Sequence, residues 1–216
     1  MHLTLIIGNK NYSSWSLRPW LFLKYHNIPF TEIRIPLYLE ESKNQILQYS
    51  KSGKVPILRD GDLTIWDSLA ILEYLAERFP HTKGWPERQD IRALARSLSA
   101  EMHSGFSALR SHCGMNCRRL PSMEYLPDNV MGDIDRIGQI WQECRQRFDK
   151  DGPWLFGRFT IADAMFAPVA LRFHSYQISS NGSAQAYVDT VLNHPSVREW
   201  FEAGQREIEV IPEFEN

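Results

Sequence analysis

The stretch from Lys54 to Leu75 constrains the fold more than any other. Val55-Pro56 precedes a short apolar run, Ile57-Leu58, and Asp60-Gly61-Asp62 supplies a hairpin turn. Leu63-Thr64-Ile65 is a second short run, and an apolar helix pattern begins after Trp66. This order predicts strand, turn, strand and helix. Asp67 and Ser68 stand where the helix starts, so their side chains can cap it. The free amides there, at the positive end of the helix dipole, make an anion site. Pro56 has no N–H to give to a ladder, which places it at an edge or in a binding loop.

Upstream, Leu3 to Ile7 reads as a buried strand ending at Gly8-Asn9. A loop leads into a helix expected from Ser14 to His26, where Trp15, Leu17, Leu21, Phe22 and Tyr25 recur at helical spacing and Pro19 is expected in the first turn. The start of that helix is rich in hydroxyls: Tyr12, Ser13, Ser14 and Ser16. Serines at a helix start are more often caps than catalysts. A strand-loop-helix unit, however, aims its loop at the carboxyl end of the sheet, where ligands bind. A second strand is expected at Glu32 to Ile35 and a short polar helix at Glu40 to Tyr49. The element order to Leu75 is then β-α-β-α-β-β-α. There is no Cys-x-x-Cys and no cysteine before Cys113, so dithiol redox chemistry is excluded.

Glu77 to Pro86 carries two prolines and a glycine and reads as a linker. It divides an α/β domain, residues 1–80, from an all-α domain, residues 87–216. Glu87 to His112 is expected to be one long amphipathic helix, with Ile91, Leu94, Leu98, Met102, Phe106 and Leu109 on its apolar stripe. On such a helix His103, Phe106 and Arg110 share a face by i+3 and i+4 spacing. Val130 to Phe148 repeats the pattern. Thr160-Ile161-Ala162-Asp163 is a capping box ahead of the apolar run Ala164 to Ala167, which marks a buried helix. Residues 186–192 and 197–204 are shorter helices, and an acidic tail follows from Glu207.

Charge narrows the partners. Twenty-four basic residues against twenty-six acidic ones give no electrostatic footprint for nucleic acid or an anionic membrane. No apolar run approaches the length of a membrane span, and the first ten residues lack a basic n-region, so a cytoplasmic protein acting on small molecules is expected. Cys113, Cys117 and Cys144 do not make a disulfide framework. Cys113 and Cys117 beside His112 lack a fourth ligand, and no metal is expected.

Val55-Pro56, the Asp67-Ser68 helix start running into Ala70-Ile71-Leu72-Glu73-Tyr74-Leu75, the Ser13-Ser14-x-Ser16-x-Arg18 cluster and the Thr160-to-Asp163 box together resemble the glutathione S-transferase family. Within it, the serine-type, zeta-like bacterial group is the nearest pattern. The resemblance spans nearly the whole chain. It implies a thioredoxin-like N-terminal domain followed by a helical one, a cis Val55–Pro56 bond, and glutathione as cosubstrate with no metal. Glutathione would contact Tyr12, Lys54, Val55, Pro56, Asp67 and Ser68. Val55 would pair with its cysteinyl unit, and Asp67 and Ser68 would hold its γ-glutamyl end. The implied activity is a detoxifying transfer of glutathione to an electrophile bound near His103, Phe106 and Arg110, with Arg172, His174 and Tyr176 as further contributors. The alternatives are a maleylacetoacetate-type isomerase or a non-catalytic glutathione-binding domain. Trp15 departs from the zeta-like isomerases, which have cysteine there. A serine hydroxyl would stabilise the thiolate. The zeta-like register selects Ser13, counting four residues back from Arg18 selects Ser14, and Ser13 is preferred with the other assisting; Tyr12 is a third candidate. The family's usual assembly is a homodimer.

Overall fold

The computed structural model describes residues 2–119, 125–180 and 182–215. The outer ends of the two expected domains, residues 1 and 216, lie outside them. Four strands, β1 (Leu3–Ile7), β2 (Phe30–Arg34), β3 (Ile57–Asp60) and β4 (Leu63–Ile65), form one sheet in the order β2-β1-β3-β4. β1 and β2 are parallel, whereas β1–β3 and β3–β4 are antiparallel. The hairpin turns at Gly61, whose φ of 60° suits glycine.

Both faces of the sheet are covered, which is why β1 is apolar throughout. Leu5, Ile7 and Leu58 face α1 (Ser14–Tyr25) and α3 (Ser68–Arg78) through Leu17, Leu21, Ile71, Leu72 and Leu75. Ile6 and Ile57 point the other way, onto Ile46 of α2 (Ser42–Leu47) and Ile35. The expected β-α-β-α-β-β-α order is thus present, with β2 starting two residues earlier than expected and α2 shorter at both ends. Pro19 is the sixth residue of α1 and so lies in its second turn, not its first.

The linker is packed rather than exposed. Phe79 leads into a 3₁₀ turn, Pro80–Thr82, and Gly84, Trp85 and Pro86 are buried, with Trp85 Nε1 donating to Glu73 Oε2 (2.8 Å). Beyond it come α4 (Gln89–Ser104), α5 (Ser107–His112), α6 (Asp128–Phe148), α7 (Ile161–Ser175), α8 (Gly182–Asn193) and α9 (Pro195–Gln205). The long helix expected from Glu87 to His112 is therefore two helices. At Gly105 a Cβ would lie 2.7 Å from the Glu101 carbonyl oxygen, and Phe106 takes a left-handed φ of 56°, so the chain turns between α4 and α5.

α7 is the axis of the helical domain and packs on both α1 and α4. Its start is the expected capping box. Asp163, buried, accepts from the Thr160 amide (2.7 Å), the Thr160 hydroxyl (3.0 Å) and the Leu155 amide (2.9 Å). No described helix is long and apolar enough to cross a membrane.

Candidate active site

A cleft of about 800 Å³ opens where the carboxyl end of β1 and the N-terminus of α1 meet the helical domain. The loop before α1 and the first residues of α1 supply Tyr12 to Trp15, the segment before β3 Lys54 to Pro56, and the start of α3 Trp66 to Ser68. The helical domain adds His103, Arg110, Gly114, Met115 and Arg172. Phe214, Tyr38 and Lys43 close the outer rim.

The start of α3 forms part of the cleft wall. Asp67 is the N-cap of α3, and its Oδ1 accepts from the amides of Leu69 (3.0 Å) and Ala70 (3.4 Å). Its Oδ2 meets His103 Nε2 at 2.9 Å, tying α3 to α4. With those amides capped, the Ser68 amide is left for a ligand. The Ser68 hydroxyl is fully buried and accepts from Arg18 Nη1 (3.4 Å). Beside it the Val55–Pro56 bond is cis, and among the described residues Val55 makes no backbone hydrogen bond. An extended peptide-like ligand can therefore pair there in the manner of an added strand.

The three hydroxyls before α1 have separate surroundings. Ser13 caps the helix: its Oγ lies 2.8 Å from Ser16 Oγ and accepts from the Ser16 amide (3.4 Å), while Ser16 Oγ accepts from the Gly8 amide (3.1 Å). Ser14, the first residue of α1, accepts from Arg172 Nη2 at 3.3 Å. That bond occupies a lone pair and leaves the Ser14 hydroxyl hydrogen free to point into the cleft. Tyr12 lends the wall its ring only. Its hydroxyl is bonded to Glu215, accepts from Arg118 Nη2 (2.5 Å) and the Ile211 amide (3.2 Å), and is pushed up in pKa by burial and by Glu215.

Cations dominate the remaining wall. Trp15 is half-buried with Arg18 4.3 Å and Arg110 5.1 Å from its ring centroid and the His103 ring edge-on at 5.4 Å. Arg18 and Arg172 are 2% and 4% exposed. Arg172 is anchored by backbone carbonyls, donating from Nε to Cys113 (2.8 Å) and from Nη1 to Pro168 (3.2 Å). Burial, then the other guanidiniums, pulls Arg18 down to about 9 and Arg172 to about 10. Both stay charged at neutral pH.

The cleft thus brings together Tyr12, Ser13, Ser14, Lys54, Val55, Pro56, Asp67, Ser68, His103 and Arg110. Phe106 does not join them. The break before α5 turns its ring into the core, 7% exposed, so the face it was expected to share with His103 and Arg110 does not exist. Arg172 is on the wall, whereas His174 and Tyr176 are not among the lining residues. Sequence reasoning missed Trp15, Lys43, Met115 and Phe214 as wall residues, and used Arg18 only as a register mark. The i, i+3 spacing of Trp15 and Arg18 at the helix start is the signal that could have found the pair. Cys113, Cys117 and Cys144 are buried free thiols, raised to about 11, beyond the ordinary range, and to about 12 by desolvation. Among the described residues no group of three or more His, Cys, Asp and Glu is placed to hold a metal.

Two family models match the chain: "Glutathione S-transferase, N-terminal domain" over residues 12–78, and "Glutathione S-transferase, C-terminal domain" over residues 100–203. Among curated proteins, a dichloromethane dehalogenase of Methylophilus leisingeri is 39% identical over 66 residues, 30% of this chain and 25% of that one. A probable maleylacetoacetate isomerase of Caenorhabditis elegans is 34% identical over 98 residues, 45% of each. The match therefore spans less than half the length of either relative. Among solved structures, a glutathione transferase homolog from Burkholderia gl BGR1, with bound glutathione, superposes with a TM-score of 0.72 at 22% identity, covering 95% of this chain and 99% of that one. That likeness establishes the fold.

Proposed function

Because the chain belongs to the glutathione S-transferase family, we propose that it is a glutathione transferase that ionises the thiol at the start of α1 and presents it to a small electrophile. The observation that carries this reading is the Ser14 hydroxyl. It is held by Arg172 and stands on the same cleft as the Asp67–Ser68 start of α3. In the proposed complex the γ-glutamyl carboxylate accepts from the Ser68 hydroxyl and amide, with the Arg18 charge beneath. Asp67 faces the ammonium, and Val55 pairs with the cysteinyl unit through its backbone. Lys54 and Lys43, which line the cleft, would take the remaining carboxylate.

A free thiol with pKa about 8.5 is only a few per cent ionised at neutral pH. A shift of about two units would make most of it thiolate, which takes about 2.7 kcal/mol. A hydrogen bond from Ser14, the α1 amides and the buried Arg172 charge behind it can supply that amount. The register counted back from Arg18 is the one this geometry supports, because the Ser13 hydroxyl is engaged as the helix cap. The thiolate then attacks the electrophile, and the leaving group departs with its bonding electrons.

The test is the pKa of bound glutathione, read by thiolate ultraviolet absorbance. Ser14→Ala should raise it by about one to two units, the equivalent of one hydrogen bond to a charged group. Ser13→Ala should lower thermal stability and leave that pKa nearly unchanged. Elevation in Ser13→Ala alone would return the role to Ser13, and no change in either would remove serine activation.

The reading includes a homodimer and a cytoplasmic, detoxifying setting, the compartment in which glutathione is kept reduced. The exposed Leu63 on the edge strand β4 and the exposed Trp66 beside it support an interface on that face. Sedimentation of a monomer at every concentration would remove the dimer.

A further inference from the structure

We propose that the acceptor half of this cleft is a carboxylate site, in which Arg110 holds an anionic group on the electrophile with Arg172 behind it. The proposal deepens the transferase reading and rests on it. Arg110 and Arg172 line the cleft, and the buried Arg18 lies 4.3 Å from the ring centroid of Trp15, which lines it too. Among the described residues no carboxylate comes within ion-pair distance of any of them, and burial, then their mutual repulsion, draws Arg18 and Arg172 down. Buried or half-buried charge left without a counterion is costly, so a wall of this kind is completed by an anionic ligand.

Glutathione satisfies only part of it. Its γ-glutamyl carboxylate goes to the α3 end, beside Arg18 and Ser68. Its thiolate goes to Ser14 and draws on Arg172. Arg110 lies 5.1 Å from the Trp15 ring centroid and spends one N–H on the His103 carbonyl (3.2 Å). The acid that most influences it, Asp133, instead accepts from the Leu109 amide at the start of α5 (2.9 Å). The rest of the Arg110 fork is open to a planar carboxylate. Met115, Phe214 and Tyr38 line the same cleft and suit an apolar body. The substrate class is thus a small, largely apolar electrophile bearing one carboxylate and a leaving group. For an aryl chloride the balance is simple: the sulfur–carbon bond forms, the carbon–chlorine bond breaks, chloride leaves with the electron pair, and nothing is oxidised or reduced.

The probes are 4-chloro-3-nitrobenzoate and 4-chloro-3-nitrobenzamide with saturating glutathione, each rate divided by its uncatalysed rate. Wild type should favour the benzoate by about tenfold or more in kcat/KM, as expected for one charge-assisted contact. Arg110→Gln should abolish that preference, with the loss of about tenfold in benzoate kcat/KM falling on KM. Arg110→Lys should restore part of it. In wild type alone, 3-nitrobenzoate should inhibit competitively against the acceptor more strongly than 3-nitrobenzamide, a comparison that needs no variant to fold. Turnover of both acceptors without discrimination, or discrimination unchanged in Arg110→Gln, overturns the carboxylate site alone. No thioether from either acceptor overturns the transferase reading and this proposal with it.

Discussion

A hydroxyl with no exposed surface, bonded only to a buried arginine, is not needed for solubility. Ser68 is such a residue among those described, and the proposed function gives it a ligand carboxylate to hold. Ser68→Ala should lower glutathione affinity by about ten- to a hundredfold, the loss of one contact to a charged group at roughly 1.5–3 kcal/mol, with thermal stability nearly unchanged. Calorimetric titration decides it, and equal affinities would exclude the role. His26 tests the protein's pH response. Burial among Phe22, Tyr25 and Phe159, with His81 adding repulsion, brings it down from 6.5 to about 4. Its folded pKa lies below its unfolded one, so between those values the unfolded chain holds the extra proton. Stability from this group is full above 6.5 and falls as pH drops toward 4. Asp163, raised to about 6 by burial, acts with opposite sign over much of that window. The measurable quantity is therefore a difference: His26→Gln should lose less stability than wild type between pH 7 and pH 4.5 in urea titrations, and parallel curves would contradict it. At this scale, residues whose role is local were legible. Asp67 and Ser68 announce a helix start by type and position, and Thr160 and Asp163 a capping box. Ser14 stood among the candidates, but its bond to Arg172 was not legible, because the partners lie 158 residues apart.

Elements were legible where periodicity and punctuation agree. The β3–β4 hairpin follows from Asp60-Gly61-Asp62, and α3 and α6 from their apolar stripes. The break between α4 and α5 was not, since the stripe through Met102, Phe106 and Leu109 continues across it: all three are buried in the core from either side of the turn. Apolar spacing records burial, not backbone continuity. The corrected break makes a prediction about Phe106. Phe106→Ala should cost about 3–5 kcal/mol of stability as a core truncation and leave the acceptor KM unchanged. Because Phe106 sits at φ 56°, glycine should be the milder substitution, by about 1 kcal/mol, reversing the usual order in which alanine is better tolerated than glycine. Chemical denaturation of the two variants measures both. A larger loss for Phe106→Gly would show that the left-handed backbone is not felt.

On the scale of the whole molecule, the cleft exists because two domains and the last segment of the chain are tied around it. His103 to Asp67 and Arg172 to Ser14 join the domains on the inner side. On the outer side the tail is drawn in by its own acids. Glu207 accepts from the Lys10 amide (2.8 Å) and the Asn11 amide (3.0 Å), and Glu209 pairs with Arg34 (2.7 Å). Composition marked this stretch as acidic, but only the folded chain brings Lys10, Arg34 and Arg118 to meet it. Arg118 is the clasp. It donates to the carbonyls of Glu207 (2.7 Å) and Glu209 (2.8 Å), to the Tyr12 hydroxyl (2.5 Å) and to Glu215 (3.3 Å). Removing it leaves several acceptors without their charged partner, at roughly 1.5–3 kcal/mol. Arg118→Ala should therefore lower Tm by about 3–12 °C for a chain of this size. Because the tail contributes Phe214 to the cleft lining whereas Ser68 belongs to α3, the acceptor KM should rise while glutathione affinity holds. Scanning calorimetry, acceptor kinetics and glutathione titration on one preparation separate these effects. Loss of glutathione affinity equal to the loss for the acceptor would mean that the tail supports the cleft as a whole and not its outer end.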